Sequence, residues 1–411
     1  MKLRQYLSEA GMTQEQFAAA IGVSQSVISR LSRGQSDVSL GVLRRILDAT
    51  NGVVTPNDFL PANPRKMQSI IGWDVGGAHL KAARVENGIV TRAVQVPCPL
   101  WLGLGELDRA FADAEKAIGR TPLNAITMTG ELCDAFATRE AGAAGLAAIM
   151  VRLLSPDRAL FYAGRLGFVG DSEAADHAIE IASANWHASA ALTAARKGAA
   201  LFIDMGSTTT DIIPIAEGQP ASLGYTDAER LAHGELVYSG IARSFLMAGP
   251  KLVPFAGRWT PLMNEWFATM ADVHRILGQL PEGADLMDAA DGREKSKAAS
   301  RARLARMIGH DSGEADDAAW EALARFFAET QLRDIMDAAA LVLSRGVLYS
   351  GAPVVGAGAG RGVIRELATR IGRTFIAFDD LIEAVPEARS KACDCAPASA
   401  LALLAAAQLC A

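Results

Sequence analysis

Two short segments set the frame for everything else in this chain. One is Gly72-Trp73-Asp74-Val75-Gly76-Gly77-Ala78-His79-Leu80-Lys81, and the other is Ile203-Asp204-Met205-Gly206-Ser207-Thr208-Thr209-Thr210-Asp211. In each, an apolar run delivers an aspartate and then turns through glycine. Glycine lets the backbone bend sharply and come close to a ligand with no Cβ in the way. Successive N–H groups in such a turn form a concavity that binds anions. The hydroxyls of Ser207, Thr208, Thr209 and Thr210 add donors, and Gly76, Gly77 and Gly206 supply the bend. An aspartate repels phosphate, so Asp74 and Asp204 are expected to act through a hydrated Mg²⁺.

A third segment, Val354-Val355-Gly356-Ala357-Gly358-Ala359-Gly360-Arg361-Gly362, is another apolar run entering a Gly-rich turn. Gly356, Gly358 and Gly360 suit a loop that closes over a nucleotide or a similar group. A single Gly-Gly turn is ordinary, whereas three such loops in this order are specific. The order resembles the superfamily of actin, Hsp70 chaperones and sugar kinases. That resemblance implies a two-lobed, actin-like (ribonuclease H-like) α/β fold with ligand between the lobes.

The pattern along the chain agrees. Apolar runs at Ile70–Val75, Lys81–Val85, Gly88–Val96 and Leu123–Thr129 predict strands, with a turn at Asn87-Gly88. A second strand–loop–strand runs from Ala200 to Ile215, which places a lobe boundary near residues 198–203. Residues 262–344 read as almost entirely helical, an insertion in the second half. Pro353–Gly356 is a late strand.

Residues 1–50 differ. Leu3, Tyr6, Leu7, Phe17, Ile21, Val27, Ile28, Leu31, Leu43, Ile46 and Leu47 predict a small all-helical core. The stretch from Met12 to Arg30 resembles the lambda-repressor-like helix-turn-helix family. Thr13 and Gln16 fit a capping box, Gly22 fits the tight turn, and Ser24 fits the next N-cap. The resemblance implies that Gln25 and Ser26 face base edges in a major groove, with Arg30 and Arg33 on phosphates. Residues 51–69, with Pro56, Pro61 and Pro64, read as a linker, and 70–411 as the body.

The net charge of -6 conceals an asymmetry. Met1–Lys66 carries eight Lys/Arg and five Asp/Glu, or +3, which leaves -9 for the rest. DNA is therefore a partner for the head alone, and one weakly basic copy needs a homodimer to bind tightly. The five cysteines form no disulfide framework, and Cys393 and Cys395 make at most half a metal site. The polar N-terminus does not suit a signal peptide, and the apolar stretch 398–411 is too short for a bilayer. The expectation is a cytoplasmic protein.

Further motifs narrow the family. They are Met128-Thr129-Gly130-Glu131-Leu132-Cys133-Asp134, Ala184-Asn185-Trp186-His187-Ala188, Tyr225–Leu231, Gly234-Glu235-Leu236-Val237-Tyr238-Ser239-Gly240 and Ala271-Asp272-Val273-His274-Arg275-Ile276-Leu277. Together they resemble the hydantoinase/oxoprolinase-like proteins of tetrahydromethanopterin-linked one-carbon pathways. Archaeal members of that group act in methanofuran biosynthesis. They join an aminomethylfuran-methyl diphosphate to the phenol of a tyramine-glutamate conjugate and release pyrophosphate. In methylotrophic bacteria the resemblance implies a related tyrosine-based acceptor.

The implied activity is an Mg²⁺-dependent transfer of an alkyl group to a phenol. Asp74, Asp204, Lys81 and the loop N–H groups would hold the departing diphosphate. Asp211, Glu235 and His274 are candidates for the base that takes the phenol proton. Glu131, Asn185, Trp186 and Asp272 join Glu235 and His274 as candidate substrate residues. The acidic run Asp285, Asp288 and Asp291 lies nearby, either as a solvated face or as a substrate contact. Two other functions compete. One is an ATP-dependent hydantoinase, oxoprolinase or kinase, with ATP as its cofactor. The other is a ligand-sensing regulator like the repressors of the ROK family, although the Cys-rich zinc motif of that family is missing.

Overall fold

The computed structural model describes residues 3–32, 40–50, 52–54 and 69–410. They fall into two compact units, Met1–Met67 and Gln68–Ala411. Most of the predicted linker, together with Arg33 and the side chain of Leu43, lies outside the described residues.

Among its described residues the first unit contains four helices: α1 (Leu3–Glu9), α2 (Gln14–Ala20), α3 (Gln25–Ser32) and α4 (Leu40–Ala49). Leu3, Leu7, Phe17, Ile21, Ile28, Leu31 and Ile46 meet in one apolar core, with Tyr6 and Val27 at its margin. The predicted capping box is present. The Gln16 amide donates to the Thr13 hydroxyl at 3.1 Å, and the Thr13 amide donates to Gln16 Oε1 at 3.0 Å. Gly22 turns at φ +65°, a conformation side chains resist. The Ser24 hydroxyl lies 2.8 Å from that of Ser26.

The second unit opens with β1 (Ser69–Val75), β2 (His79–Glu86), β3 (Ile89–Pro97), α5 (Gly105–Ile118), β4 (Leu123–Met128), α6 (Arg139–Leu154), β5 (Arg158–Tyr162) and β6 (Phe168–Gly170). Their sheet runs β3-β2-β1-β4-β5-β6. Next come α7 (Ala178–Ile181) and α8 (Asn185–Lys197).

A second sheet starts with β7 (Ala200–Met205), β8 (Thr210–Ala216) and β9 (Gln219–Pro220), followed by α9 (Asp227–Ala232) and β10 (Leu236–Val237). A separate lobe then contains β11 (Leu252–Phe255), β12 (Arg258–Pro261), α10 (Met270–Ile276), α11 (Lys297–Arg306) and the start of α12 (Asp317–Leu343). The chain returns through β13 (Val354–Ala357), α13 (Arg361–Arg370), β14 (Phe375–Ala377), α14 (Pro386–Asp394) and α15 (Ala396–Cys410). The second sheet runs β10-β8-β7-β13-β14, with β9 also on β8.

The two halves repeat one plan. In each, the first strand pairs antiparallel with the second and parallel with a later strand of its half, β1 with β4 and β7 with β13. That duplicated order is the actin-like fold. β1 and β7 are buried on both faces, which explains their unbroken apolar runs. Helices α5 and α6 cover one face of the first sheet, and α12 and α13 one face of the second. Between the sheets lie α8 and α15, in a core that draws residues from both. Gly72 permits this packing, because a Cβ there would lie 2.0 Å from the Ala398 carbonyl oxygen.

The expectation of an almost entirely helical run over 262–344 failed in three stretches, since residues 262–269 and 307–316 also hold no α-helix. Residues 277–296, predicted helical, are irregular, since Gly278, Pro281, Gly283 and Gly292 interrupt any helix.

Candidate functional site

The two aspartate loops meet. They face each other across a cleft of about 310 Å³, lined by Asp74, Gly76, Gly77, His79 and Lys81 on one side and by Gly206, Ser207, Thr208, Thr209 and Asp211 on the other. Each loop is the tight link of a hairpin. The Gly76 amide donates to the His79 carbonyl at 3.0 Å, and the Gly206 amide to the Thr209 carbonyl at 2.9 Å. A Cβ on Gly76 would sit 2.8 Å from that same His79 oxygen. His79 Nδ1 lies 3.4 Å from Ser207 Oγ, so the loops also touch one another. Burial, assisted by Lys81, Arg243 and Lys391, drives the His79 pKa down to about 3. The ring is a neutral bridge at physiological pH.

The charges beneath the loops are crowded. Lys81 Nζ lies 3.8 Å from Asp74 Oδ2, while Asp74 Oδ1 is buried with no partner among the described residues. Burial raises the Asp74 pKa against the pull of Lys81. Burial also works against the charge on Lys81, but Asp74 and Asp204 outweigh it and leave its pKa above the ordinary value. Asp204 is also buried but does not line the cleft, and burial pushes its pKa up to about 7, with Asp211, Asp74 and Asp394 adding to the push. Thus Lys81 is no surface lysine. It is the cation of a carboxylate cluster.

Asp211 accepts a close hydrogen bond from Arg230 Nη2. Arg230 is itself buried, with its guanidinium 4.4 Å over the ring of Trp186. Burial raises the Asp211 pKa, and Arg230 opposes the rise. Trp186 therefore lies behind the cleft wall as a platform for Arg230. Asn185 lines the cleft, and its Oδ1 accepts from the Trp186 amide at 2.7 Å. Glu131 is buried just below. It accepts from Ser183 Oγ at 2.5 Å, and its Oε2 lacks a partner among the described residues.

Other candidates lie elsewhere. Thr210 is buried and donates to the Ser239 carbonyl at 2.7 Å. Glu235 is fully buried; it accepts from the amides of Leu223 and Gly224 and pairs with Arg345. Asp272 takes hydrogen bonds from Ser300, Arg275 and Arg303 in the helical lobe. His274 lies within reach of Gln279 at 3.2 Å and Gln331 at 2.9 Å, and burial lowers its pKa. None of these three lines the cleft, although Asp272 borders a neighbouring cavity.

The late glycine loop packs behind the second aspartate loop. The Gly360 amide donates to the Met205 carbonyl at 2.8 Å. A Cβ on Gly358 would sit 2.3 Å from Asp204 Oδ1. Gly356 packs against the ring of Phe375 in the same way. Gly360 also borders a separate cavity of about 650 Å³ with Arg361, Arg365 and Arg370, which shares no lining residue with the cleft.

Cys393 and Cys395 are buried free thiols, and burial pushes the Cys395 pKa up to about 12. Among the described residues no group of three or more metal-binding side chains comes together, and no helix is long and apolar enough to cross a membrane. In the head, Gln25, Ser26 and Arg30 are exposed along α3.

Sequence reasoning missed Arg230 and Arg243. Arg230 had a clue: the capping box Thr226-Asp227-Ala228-Glu229 starts a helix that places it one turn later. Arg243 had none. Its position depends on the close approach of Gly240 to Ser207, where a Cβ would meet backbone at 2.5 Å.

Residues 123–405 match the hydantoinase/oxoprolinase family, and residues 2–53 match a helix-turn-helix family. Two archaeal proteins similar to this chain are each named (4-{4-[2-(gamma-L-glutamylamino)ethyl]phenoxymethyl}furan-2-yl)methanamine synthase. The protein of Methanocaldococcus jannaschii is 30% identical over 240 residues, covering 58% of this chain and 71% of the relative. That of Methanococcus vannielii is 37% identical over 111 residues, covering 27% of this chain and 50% of the relative. Among solved structures, a nucleotide-free acetone carboxylase aligns with a TM-score of 0.49 at 12% identity, covering 81% of this chain and 70% of that one.

Proposed function

This chain belongs to the hydantoinase/oxoprolinase family, and from that premise we propose that it joins an aminomethylfuran-methyl diphosphate to a phenolic acceptor with release of pyrophosphate. The observation that carries the reading is the meeting of the Asp74–Lys81 and Asp204–Asp211 hairpins on one cleft. The names of the two archaeal relatives support the ether product.

The chemistry follows from the residues. The phenol oxygen forms a bond to the furan CH₂. The bond from that carbon to the diphosphate oxygen breaks, and its electron pair leaves with the diphosphate. The amide of Gly77, the hydroxyls of Ser207 and Thr208, and Lys81 hold the departing anion in a preorganised frame. The phenol proton passes to Asp211. Of the three candidate bases it alone lines the cleft, since Glu235 and His274 are already engaged elsewhere.

The residues fit a hydrated divalent cation. Asp74 keeps a buried oxygen without a partner among the described residues, and Asp204 lies among carboxylates that a second cation would relieve. When bound, Mg²⁺ would neutralise charge on the leaving group.

The test is incubation with synthetic aminomethylfuran-methyl diphosphate, tyramine or a tyrosine-based acceptor, and Mg²⁺. Pyrophosphate and an aryl ether should appear together. Absence of pyrophosphate with every acceptor sinks the reading, and ATP hydrolysis stimulated by 5-oxoproline or a hydantoin would replace it with the ATP-dependent alternative.

For the head, the helix-turn-helix match and the exposed Gln25, Ser26 and Arg30 support DNA binding. Salt-sensitive retention of DNA from its own upstream region checks this. Binding unchanged in a Gln25→Ala, Arg30→Ala variant would refute it.

A further inference from the structure

Beside the cleft is a cavity of about 490 Å³, and the two share Trp101 and Arg243 in their walls. Its size is within the range of small-molecule sites. Arg243 forms the partition. Its guanidinium lies 5.1 Å over the Trp101 ring, and its Nη1 donates to Thr208 of the second loop at 3.3 Å. Also in its wall, Phe245 and Trp266 meet edge to face with centroids 5.5 Å apart. Trp101, Phe245 and Trp266 are 42%, 43% and 46% exposed. Three aromatic side chains left partly bare around one hollow mark a place where a ligand covers them.

The carboxylates in its wall differ in their pairing. Asp285 is neutralised by Arg275 and Lys295. Asp288 is exposed, lines the cavity, and makes no ion pair among the described residues. The wall of the hollow thus holds both a guanidinium that reaches the phosphate loop and a carboxylate with no ion pair among the described residues.

We infer that this cavity is the acceptor subsite, seating the ring of a phenolic amine among Trp101, Phe245 and Trp266, with its oxygen at Arg243 and its ammonium at Asp288. Aromatic rings pair well edge to face or offset, which suits a phenol in this position. The inference rests on the transferase reading, because the phenol oxygen then points at the diphosphate held on the neighbouring loops.

The experiment is calorimetric titration of the full chain with tyramine, p-cresol and pyrophosphate, each with Mg²⁺. Trp266→Ala and Phe245→Ala should each weaken tyramine at least tenfold. Asp288→Asn should weaken tyramine and leave p-cresol unchanged. Pyrophosphate binding should hold in all three variants, which also reports that they fold. Tyramine binding that is absent, or that is indifferent to Trp266 and Phe245, overturns the inference whether or not the protein turns over. Binding that needs these residues in a protein that never releases pyrophosphate keeps the subsite and removes the transferase reading.

Discussion

Lys81 and Asp211 occupy equivalent places in the two halves of the body. Each pairs in strand register with the carboxylate of its half, Lys81 with Asp74 and Asp211 with Asp204. One duplicated hairpin has thus acquired a cation, the other an anion. Replacing Lys81 by Met leaves the buried Asp74 without a cation. The expected loss in kcat/KM is at least 100-fold, or about 2.7 kcal/mol of transition-state stabilisation. Asp211→Asn should lower kcat with little change in Mg²⁺ affinity. Pyrophosphate release and magnesium titration separate the two, and an active Lys81→Met enzyme would remove this lysine from the chemistry.

Gly358→Ala should damage the site from behind. Gly358 has φ +80°, and its added Cβ would meet Asp204 Oδ1 at 2.3 Å. Strain at positive φ alone costs about 1–2 kcal/mol. Gly372→Ala is the control, with φ +68° and nothing within 4 Å. Thermal melts should show the larger loss at Gly358, together with lost pyrophosphate release. Equal losses at both glycines would mean that the loop tolerates displacement.

His187 should make the fold acid-sensitive. It is buried, lies 2.9 Å from Tyr162 Oη, and burial lowers its pKa from 6.5 to about 4. Below pH 6.5 the unfolded chain takes a proton that the folded chain refuses until about pH 4. Stability from this group is therefore full above that window and falls as pH drops through it, by at most about 1.4 kcal/mol per pH unit. Urea melts at several pH values should show a shallower fall for His187→Gln. An unchanged slope would place the acid sensitivity in other groups.

Glu235→Gln should lower stability and spare catalysis. The carboxylate serves two backbone amides and Arg345 and does not line the cleft. Breaking such a buried pair costs about 3–5 kcal/mol. Melting temperature should fall while kcat at saturating substrate stays within twofold. A large fall in kcat with an unchanged melting temperature would return Glu235 to the list of bases.

What the sequence revealed follows from where its information is local. Ile70–Val75, Ala200–Asp204 and Val354–Gly356 are apolar runs ending in glycine, and all became central strands. The short β5, β14 and the β11–β12 hairpin escaped notice, because tertiary pairing rather than pattern makes them strands. The loop residues were legible for the same local reason. Asp272, Glu235 and His274 were not, because their partners Arg303, Arg345 and Gln331 come from distant segments. Arg243 lies on a loop whose shape depends on Gly240 meeting Ser207.

Helix α15 packs on β1, β2 and β4, and Gly72 is cut to its backbone. This sets an order of events during synthesis. The strand that carries Asp74 emerges from the ribosome early, but the helix that covers its inner face emerges far later. Until residues 396–410 are made, the first sheet keeps an apolar face open to water and to other chains. Nascent chains arrested before Ala396 should therefore hold this half in a protease-sensitive form, and full protection before that point would show that another segment stands in.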